Sequence, residues 1–554
     1  MQAYHASLRA AFLSAADPDT RQIHRTKLPQ APQNWNEMLN HRFQDHFMTA
    51  SGVEVKKILE RGTIEEIEMP YGKTLIPLMW VFSYKFDDAG YLLKFKARLV
   101  VRGDQVPDNG KRTHSDTLAA RTARVMLAIM AYFDLDARHF DGVNAFLNGF
   151  LEKDEQYMCY CPQGFSKQGK AWKLLRPLYG LPRSPYLWFA ELSGTLESLG
   201  FRPILEDRCI LTNGRVIVFF YVDDIVVLNR KEHRKEADEV ITLLKKKYEF
   251  RDMGDLQWFL GIRVTRDRAN RRVYLTQDAY IDKIVKEYQL GNGPRVTTPL
   301  SMDSASAYRP YEGTASQQEI KSYQRRVGSV IYPAFLTRPD IAHAASLLAR
   351  FMQNPSPFHS SELDRVICYL RDTKELSIVY DGLLESGIAS KANCFEAFSD
   401  AAYADDTATR RSSEGYLFRL FGGPIEWKAV RQDTVTTSTT EAELLALSHA
   451  GKQVYWWQRF FTQLGFDPGH RLTIQSDNEM AAGICTKSRP NVSTKLKHVD
   501  IYQHWLRERV QAGDLNIQWI STTTMPADGL TKPLGLQKHR RFVELLGLRR
   551  CDLH

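Results

Sequence analysis

Little in this 554-residue sequence suits an oxidising or membrane-spanning setting. The seven cysteines form no C-x-x-C pair, and Cys159 and Cys161 are the only close ones, which argues for a reduced compartment without structural disulfides or a cysteine-type zinc site. No stretch reaches the about 18 consecutive apolar residues of a membrane span. The N-terminal MQAYHASLRAAFLSAADPDT lacks the sustained apolar centre of a secretion signal. Internal repeats and long low-complexity tracts are missing as well. So is any acidic excess: 74 Lys plus Arg against 65 Asp plus Glu leave a formal charge of +9, which favours a polyanionic partner.

What is present is a globular composition, 43% hydrophobic and 25% charged, on a chain long enough for roughly three or four domains. IPLMWVFSYKFDDAGYLLKFKARLVVR predicts two strands joined by the turn DDAG, carrying Lys85, Lys94, Lys96, Arg98 and Arg102. TLAARTARVMLAIMAYF predicts a buried helix, and DARHFDGVNAFLNG a short strand after it. Residues 291–317, rich in Gly, Pro, Ser and Thr, are the best linker candidate, and GLLESGIASKAN gives a second polar break near residue 390. Beyond that break the order becomes strand, strand pair, long helix, strand, two helices and strand, the alternation of an α/β domain.

The most strand-like run of the chain, RVIVFFYVDDIVVLNR, contains two adjacent carboxylates, Asp223 and Asp224. Buried carboxylates need compensation, which a turn open to water, a basic partner or a metal ion would each supply. The simplest reading puts this pair at the tight turn of a β-hairpin. Phosphoryl transfer by two metal ions needs a third carboxylate. Asp141 in HFDGVNAFLNGF is a candidate, its plainer reading being a strand-end Asp that caps the next turn.

Taken in order, HFDGVNAFLNGFLEKDEQYMCYCPQGF, LLRPLYGLPRSPYLWF and FFYVDDIVVL resemble the palm motifs of the reverse transcriptase of copia-type LTR retrotransposons. IPLMWVFSYK, FKARLVVRG, YEFRDMGDLQWFLGIRV and VGSVIYPAFLTRPDIAHAASLLARFM extend the resemblance to roughly residues 35–535. YGLPRSPYLW departs from the family's commoner wording around Lys-Gln-Ala-Pro. The resemblance implies an α+β multidomain chain: a right-hand polymerase (fingers, palm, thumb) over residues 61–300, a connection over 301–390 and an α/β RNase H-like domain over 391–535. A partly disordered leader, residues 1–60, would precede these, and a basic C-terminal tail, 536–554, would follow.

It further implies that Asp141, Asp223 and Asp224 hold two Mg2+ ions, with Mn2+ as a substitute, for nucleotidyl transfer. Lys85 and Arg98 would contact the triphosphate of the incoming nucleotide, and Phe146 would be the aromatic gate that leaves no room for a 2′-OH. Farther on, Asp400 in FSDAAYAD, Glu443 in TTEAELLAL, Asp477 in IQSDN and Asp528 in MPADGLTKP resemble the four carboxylates of an RNase H site, again with two Mg2+. Glu443 lies three residues after Thr440 and could instead complete a capping box, and Glu441 is its rival for the catalytic role. His498 or Asp500 would assist.

The implied enzyme is an RNA-directed DNA polymerase (reverse transcriptase) with ribonuclease H. Its partners would be an RNA template, a DNA primer, an RNA–DNA hybrid and deoxynucleotides, with no membrane; association into oligomers or with integrase and capsid parts encoded elsewhere would complete the set. It would work in cytoplasmic virus-like particles, or in the nucleus. The family's capsid, protease and integrase parts are not found before residue 60, which gives the expectation of a Pol fragment or a gene remnant. The alternative function is that of a catalytically silent or domesticated remnant that binds nucleic acid.

Overall fold

The computed structural model describes residues 23–87, 89–302, 308–384, 394–468, 472–486 and 497–551, without the side chains of residues 497–500 and 503. They fall into two compact units. One takes the chain up to Thr117, Asp141–Arg202 and Thr242–Arg251; the other takes Leu118–Phe140, Pro203–Ile241 and the chain from Asp252 onward.

In the first unit the two expected strands, Leu78–Phe86 and Leu92–Val101, form an antiparallel ribbon in register from Leu78↔Val101 to Phe86↔Leu92. Strand periodicity sends alternate side chains to opposite faces. Trp80, Phe82, Phe95, Ala97 and Leu99 therefore turn into a core with Met38, Phe47, Cys159 and Trp172. Lys94, Lys96 and Arg98 alternate with the buried residues of their strand and share its other face. A second sheet has the order Ile64–Glu68, Lys170–Leu174, Met158–Tyr160.

Part of the expected leader belongs to this core. Trp35–Leu39 and Gln44–Glu60 are helices, the first capped by the Asn34 side chain, which accepts from the Glu37 N–H at 2.9 Å. Phe47, Ala50, Val55 and Ile58 of the second helix are buried, which answers why the segment is ordered despite its polar composition. The remainder of the leader, up to residue 22, lies outside the described residues.

In the second unit the helix Ala120–Tyr132 is buried along nearly its whole length, as its all-round apolar composition requires. Its buried charge, Arg124, is compensated three times: Nε donates to the Ile425 carbonyl (2.8 Å) and Nη1 to those of Phe335 and Leu336 (2.9 Å each). The Trp427 ring lies 4.2 Å from the guanidinium carbon. The four central strands of the six-stranded sheet that positions the acidic hairpin run Asp136–Gly142, Asp224–Asn229, Val216–Tyr221, Asp207–Thr212. Phe140 is the last residue of its first strand within this unit; Asp141 and Gly142 complete that strand and belong to the other.

A five-stranded sheet follows in the order Gly423–Arg431, Ser413–Leu420, Phe395–Ala402, Thr473–Ser476, Asn516–Trp519. Its first two pairings are antiparallel and its last two parallel. The helix Thr439–Leu464 packs on it, in the element order that the sequence predicts. The segment expected as a basic tail is folded in: Leu536–Leu545 is a helix, and Leu548–Arg550 pairs antiparallel with Leu376–Ile378 at a sheet edge. Residues 303–307 of the expected linker and 385–393 of the expected break lie outside the described residues. Among the described residues no helix is long and apolar enough to cross a membrane.

Candidate functional site

Two acidic regions fall within the second unit, and they are built differently. In the first, Val216–Tyr221 and Asp224–Asn229 pair with Tyr221 opposite Asp224, so Val222 and Asp223 form a two-residue turn. Such turns match strand twist only with positive φ at a central position. Val222 supplies it at φ 56°, a region that a β-branched residue occupies at a cost of about 1–3 kcal/mol. Only Asp223 is in the turn; Asp224 is already the first residue of the returning strand.

The hairpin's stem, with Phe219, Phe220, Val226 and Val227 buried, holds this strained tip in place. The Asp224 side chain is 34% exposed, and its Oδ1 lies 3.1 Å from Nε2 of the buried His139 on the neighbouring strand. Water and an imidazole therefore share the compensation of this carboxylate, two of the alternatives open from the sequence.

Within the first unit, Asp141, one residue before the end of its strand, has a side chain 34% exposed, with Arg251 Nη1 3.7 Å from Oδ2. The chain then turns through Asn144, in the left-handed region at φ 54°, into the short 3-10 helix Ala145–Asn148 that carries Phe146. The half-buried Phe146 ring meets Tyr179 edge to face, centroids 5.0 Å apart at 63°. Arg98 lies over the same Tyr179 ring, its guanidinium carbon 5.0 Å from the centroid.

Two of the three expected nucleotide-binding residues thus meet through a third side chain that the sequence did not single out. Lys85 is exposed on the ribbon opposite Lys94. Burial, then Arg98, Lys85 and Lys94, push the Lys96 ammonium down to about 8, so these cations form one positive patch. Burial pushes the nearby Glu54 carboxyl up, against the opposing pull of Lys57, Lys96 and Arg98.

The second acidic region converges more tightly. Asp400 lies on the strand Phe395–Ala402, Asp477 directly follows Thr473–Ser476, and Asp528 sits in the 3-10 turn Pro526–Leu530. Each offers a carboxylate oxygen within 4.8 Å of the others. Asp400 is 4% exposed, and Thr531 Oγ1 donates to its Oδ2 at 2.5 Å. Burial pushes its carboxyl up to about 6; the Thr531 bond opposes that rise, while Asp477 and Asp528 add to it.

Glu443, from the helix Thr439–Leu464, is 6% exposed, and its Oε2 has no hydrogen-bond partner among the described residues. Burial pushes this carboxyl well above its ordinary range, and Asp400 and Asp477 push it further. Glu441 is occupied elsewhere. It accepts from the Thr437 N–H (2.7 Å) and Oγ1–H (2.6 Å), and its own N–H donates to the N-cap Ser438 at 3.2 Å.

Lys532, which the sequence reading did not assign, ion-pairs with Asp528. Burial acts to lower its ammonium, but the bond to Asp528 and the fields of Asp528, Asp400 and Asp477 outweigh that and raise it. The side chains of His498 and Asp500 lie outside the described residues. A convergence of acids in which Asp400 and Glu443 are buried and Asp477 and Asp528 half-buried, with one Glu443 oxygen lacking a partner among the described residues, fits a hard cation, whose ligands are oxygens and whose charge relieves the mutual repulsion.

Residues 61–302 match the family described as reverse transcriptase (RNA-dependent DNA polymerase). Over 533 residues the chain is 31% identical to the retrovirus-related Pol polyprotein from transposon TNT 1-94 of Nicotiana tabacum, covering 93% of this chain and 39% of that protein. Over 518 residues it is 30% identical to the retrovirus-related Pol polyprotein from transposon RE2 of Arabidopsis thaliana, covering 91% of this chain and 34% of that one. The chain thus spans well under half the length of these relatives. Among solved structures, a foamy viral protease-reverse transcriptase in complex with an RNA/DNA hybrid aligns with a TM-score of 0.46 at 15% identity, over 94% of this chain and 60% of that one.

Proposed function

Since the chain belongs to the reverse transcriptase family of the retrovirus-related Pol polyproteins from copia-type transposons, we propose that it copies RNA into DNA at Asp141, Asp223 and Asp224 and cleaves the RNA of the resulting hybrid at Asp400, Glu443, Asp477 and Asp528. The observation that carries this reading is the acidic hairpin, lying inside the matched residues and lifting Asp223 onto a strained two-residue tip. Fingers, palm and thumb would span residues 61–300, the connection 301–390 and the nuclease 391–535.

Two Mg2+ ions per site, held by these carboxylates, would supply Lewis-acid activation of the attacking oxygen and charge neutralisation on the leaving group. The chain's own residues position the reactants. Lys85, Lys96 and Arg98 present a cationic face to the triphosphate of a deoxynucleotide, Arg98 with a planar fork suited to paired phosphate oxygens. Phe146 closes the space under the sugar. In the nuclease, Thr531 fixes the rotamer of Asp400 and so the direction in which its other oxygen points. RNA within the hybrid would be distinguished by its 2′-hydroxyls in a wide minor groove. The setting would be a cytoplasmic particle, or the nucleus, with integrase and capsid parts as associates.

The test is RNA-templated extension of a labelled DNA primer by the purified chain with four deoxynucleotides. Extension that needs Mg2+ or Mn2+ is expected. Its absence with both ions would count against the polymerase reading.

A further inference from the structure

Phe146 stands on a single 3-10 turn, entered through a left-handed Asn144, and four residues of such a turn do not by themselves hold a ring in one place. What holds it comes from the segment Arg176–Gly180. Arg176 donates to the Leu147 carbonyl at 3.3 Å and lies over the Phe150 ring at 4.6 Å. A Cβ on Gly149 would come within 3.2 Å of Pro177, so the two segments are in close contact there. Tyr179 then meets Phe146 edge to face, and the same ring carries the Arg98 guanidinium.

Tyr179 is itself fixed to the ribbon. Its carbonyl accepts from the Val101 N–H at 2.7 Å. Gly180, at φ 86°, packs so closely that a Cβ would lie 2.2 Å from the Val101 carbonyl oxygen. That approach requires glycine, and it anchors Tyr179 three residues along the strand from Arg98.

We propose that Tyr179 is a specificity-determining positioning residue that fixes the pitch of the Phe146 ring against the nucleotide sugar and, through its face, the Arg98 guanidinium against the triphosphate. The proposal rests on the polymerase reading above. A gate rejects a 2′-OH only if the phosphates and the ring are held in one frame, since a displacement of about 1 Å is enough to change rates substantially. One ring that touches both groups supplies that frame. An aromatic edge-to-face contact and a cation–π contact together give a coupling that corresponds to about tenfold in selectivity.

The test measures incorporation efficiency for deoxynucleotides and ribonucleotides on an RNA template, for the full chain and its variants. Tyr179→Leu is expected to lower the deoxy-to-ribo ratio by about tenfold and to raise KM for deoxynucleotides more than it lowers kcat, while Tyr179→Phe keeps the wild-type ratio. In a Phe146→Ala background, Tyr179→Leu is expected to change the ratio little, which a general loss of stability would not produce. If Tyr179→Leu lacks a melting transition, Tyr179→His, which keeps a flat ring, carries the same expectation in weaker form. A wild-type ratio in Tyr179→Leu, or additive effects of the two changes, would overturn the proposal alone. Wild-type protein that extends no primer would overturn the polymerase reading and this proposal with it.

Discussion

The two acidic regions carry the same kind of side chain and bear their cost in different places. At the hairpin Val216–Asn229 it lies in the backbone: Val222 is held at φ 56° while Asp224 keeps water and His139 about it. In the cluster around Asp400 it lies in solvation, with Asp400 and Glu443 almost sealed from water, their carboxyls raised by burial and one Glu443 oxygen without a partner among the described residues. A strained tip keeps its shape whether or not a cation is bound. A cluster of converging acids with buried members is unfavourable until one arrives. The hairpin is therefore expected to be preformed, and the cluster around Asp400 to depend on a cation for its stability.

The largest effect expected is on the proposed RNA cleavage alone. Asp477→Asn should reduce cleavage of the RNA in a labelled hybrid to background, because a third of the converging carboxylates loses its charge; cleavage retained at the wild-type rate would break the assignment. Next comes nucleotide selection: Phe146→Ala should admit ribonucleotides by one to two orders of magnitude, roughly the reach of a steric contact in a binding pocket. Primer extension with the wild-type deoxy-to-ribo ratio would remove the gate.

The stability of the metal-free protein sharpens the comparison further. Between the ordinary aspartate value of 3.8 and about 6, folded Asp400 holds a proton that the unfolded chain has released. Stability from this group is therefore full at pH below 3.8 and is lost as pH rises through about 6. Asp400→Asn should remove that slope and raise metal-free stability at pH 7 by up to about 3 kcal/mol, read by denaturant unfolding with and without EDTA. A wild-type pH profile in the variant would contradict the buried-charge account. The smallest effect is on the hairpin: Val222→Gly should relieve about 1 kcal/mol of strain and raise Tm slightly, with no dependence on added Mg2+.

Much of this was legible in the sequence. The ribbon's alternation, the apolar helix Ala120–Tyr132 and the strand order beyond residue 394 all follow from local pattern, and the structure keeps them. Other features depend on register or distance. Whether one or both carboxylates occupy the hairpin turn is decided by the pairing of Tyr221 with Asp224, one residue either way. Glu441 and Glu443 each follow a Thr or Ser by three residues and both are buried, and only the placement of the N-cap at Ser438 separates the acid bonded at the cap from the one turned to the aspartates. Tyr179 reads as an ordinary loop aromatic until Phe146 and Arg98 arrive from elsewhere in the chain. The spacing of Phe47, Val55 and Ile58 was helical and readable, but the polar residues around them masked it. The strand Leu548–Arg550 exists only because Leu376–Ile378, far back in the chain, offers an edge.

The most direct test of two independent acidic sites is a crossed measurement on one preparation: RNA-templated primer extension and hybrid cleavage, each assayed for Asp223→Asn and for Asp400→Asn. Asp223→Asn is expected to abolish extension and leave cleavage at its wild-type rate, and Asp400→Asn to do the reverse. Extension surviving Asp223→Asn, or both activities falling together in either variant, would contradict the independence of the two sites.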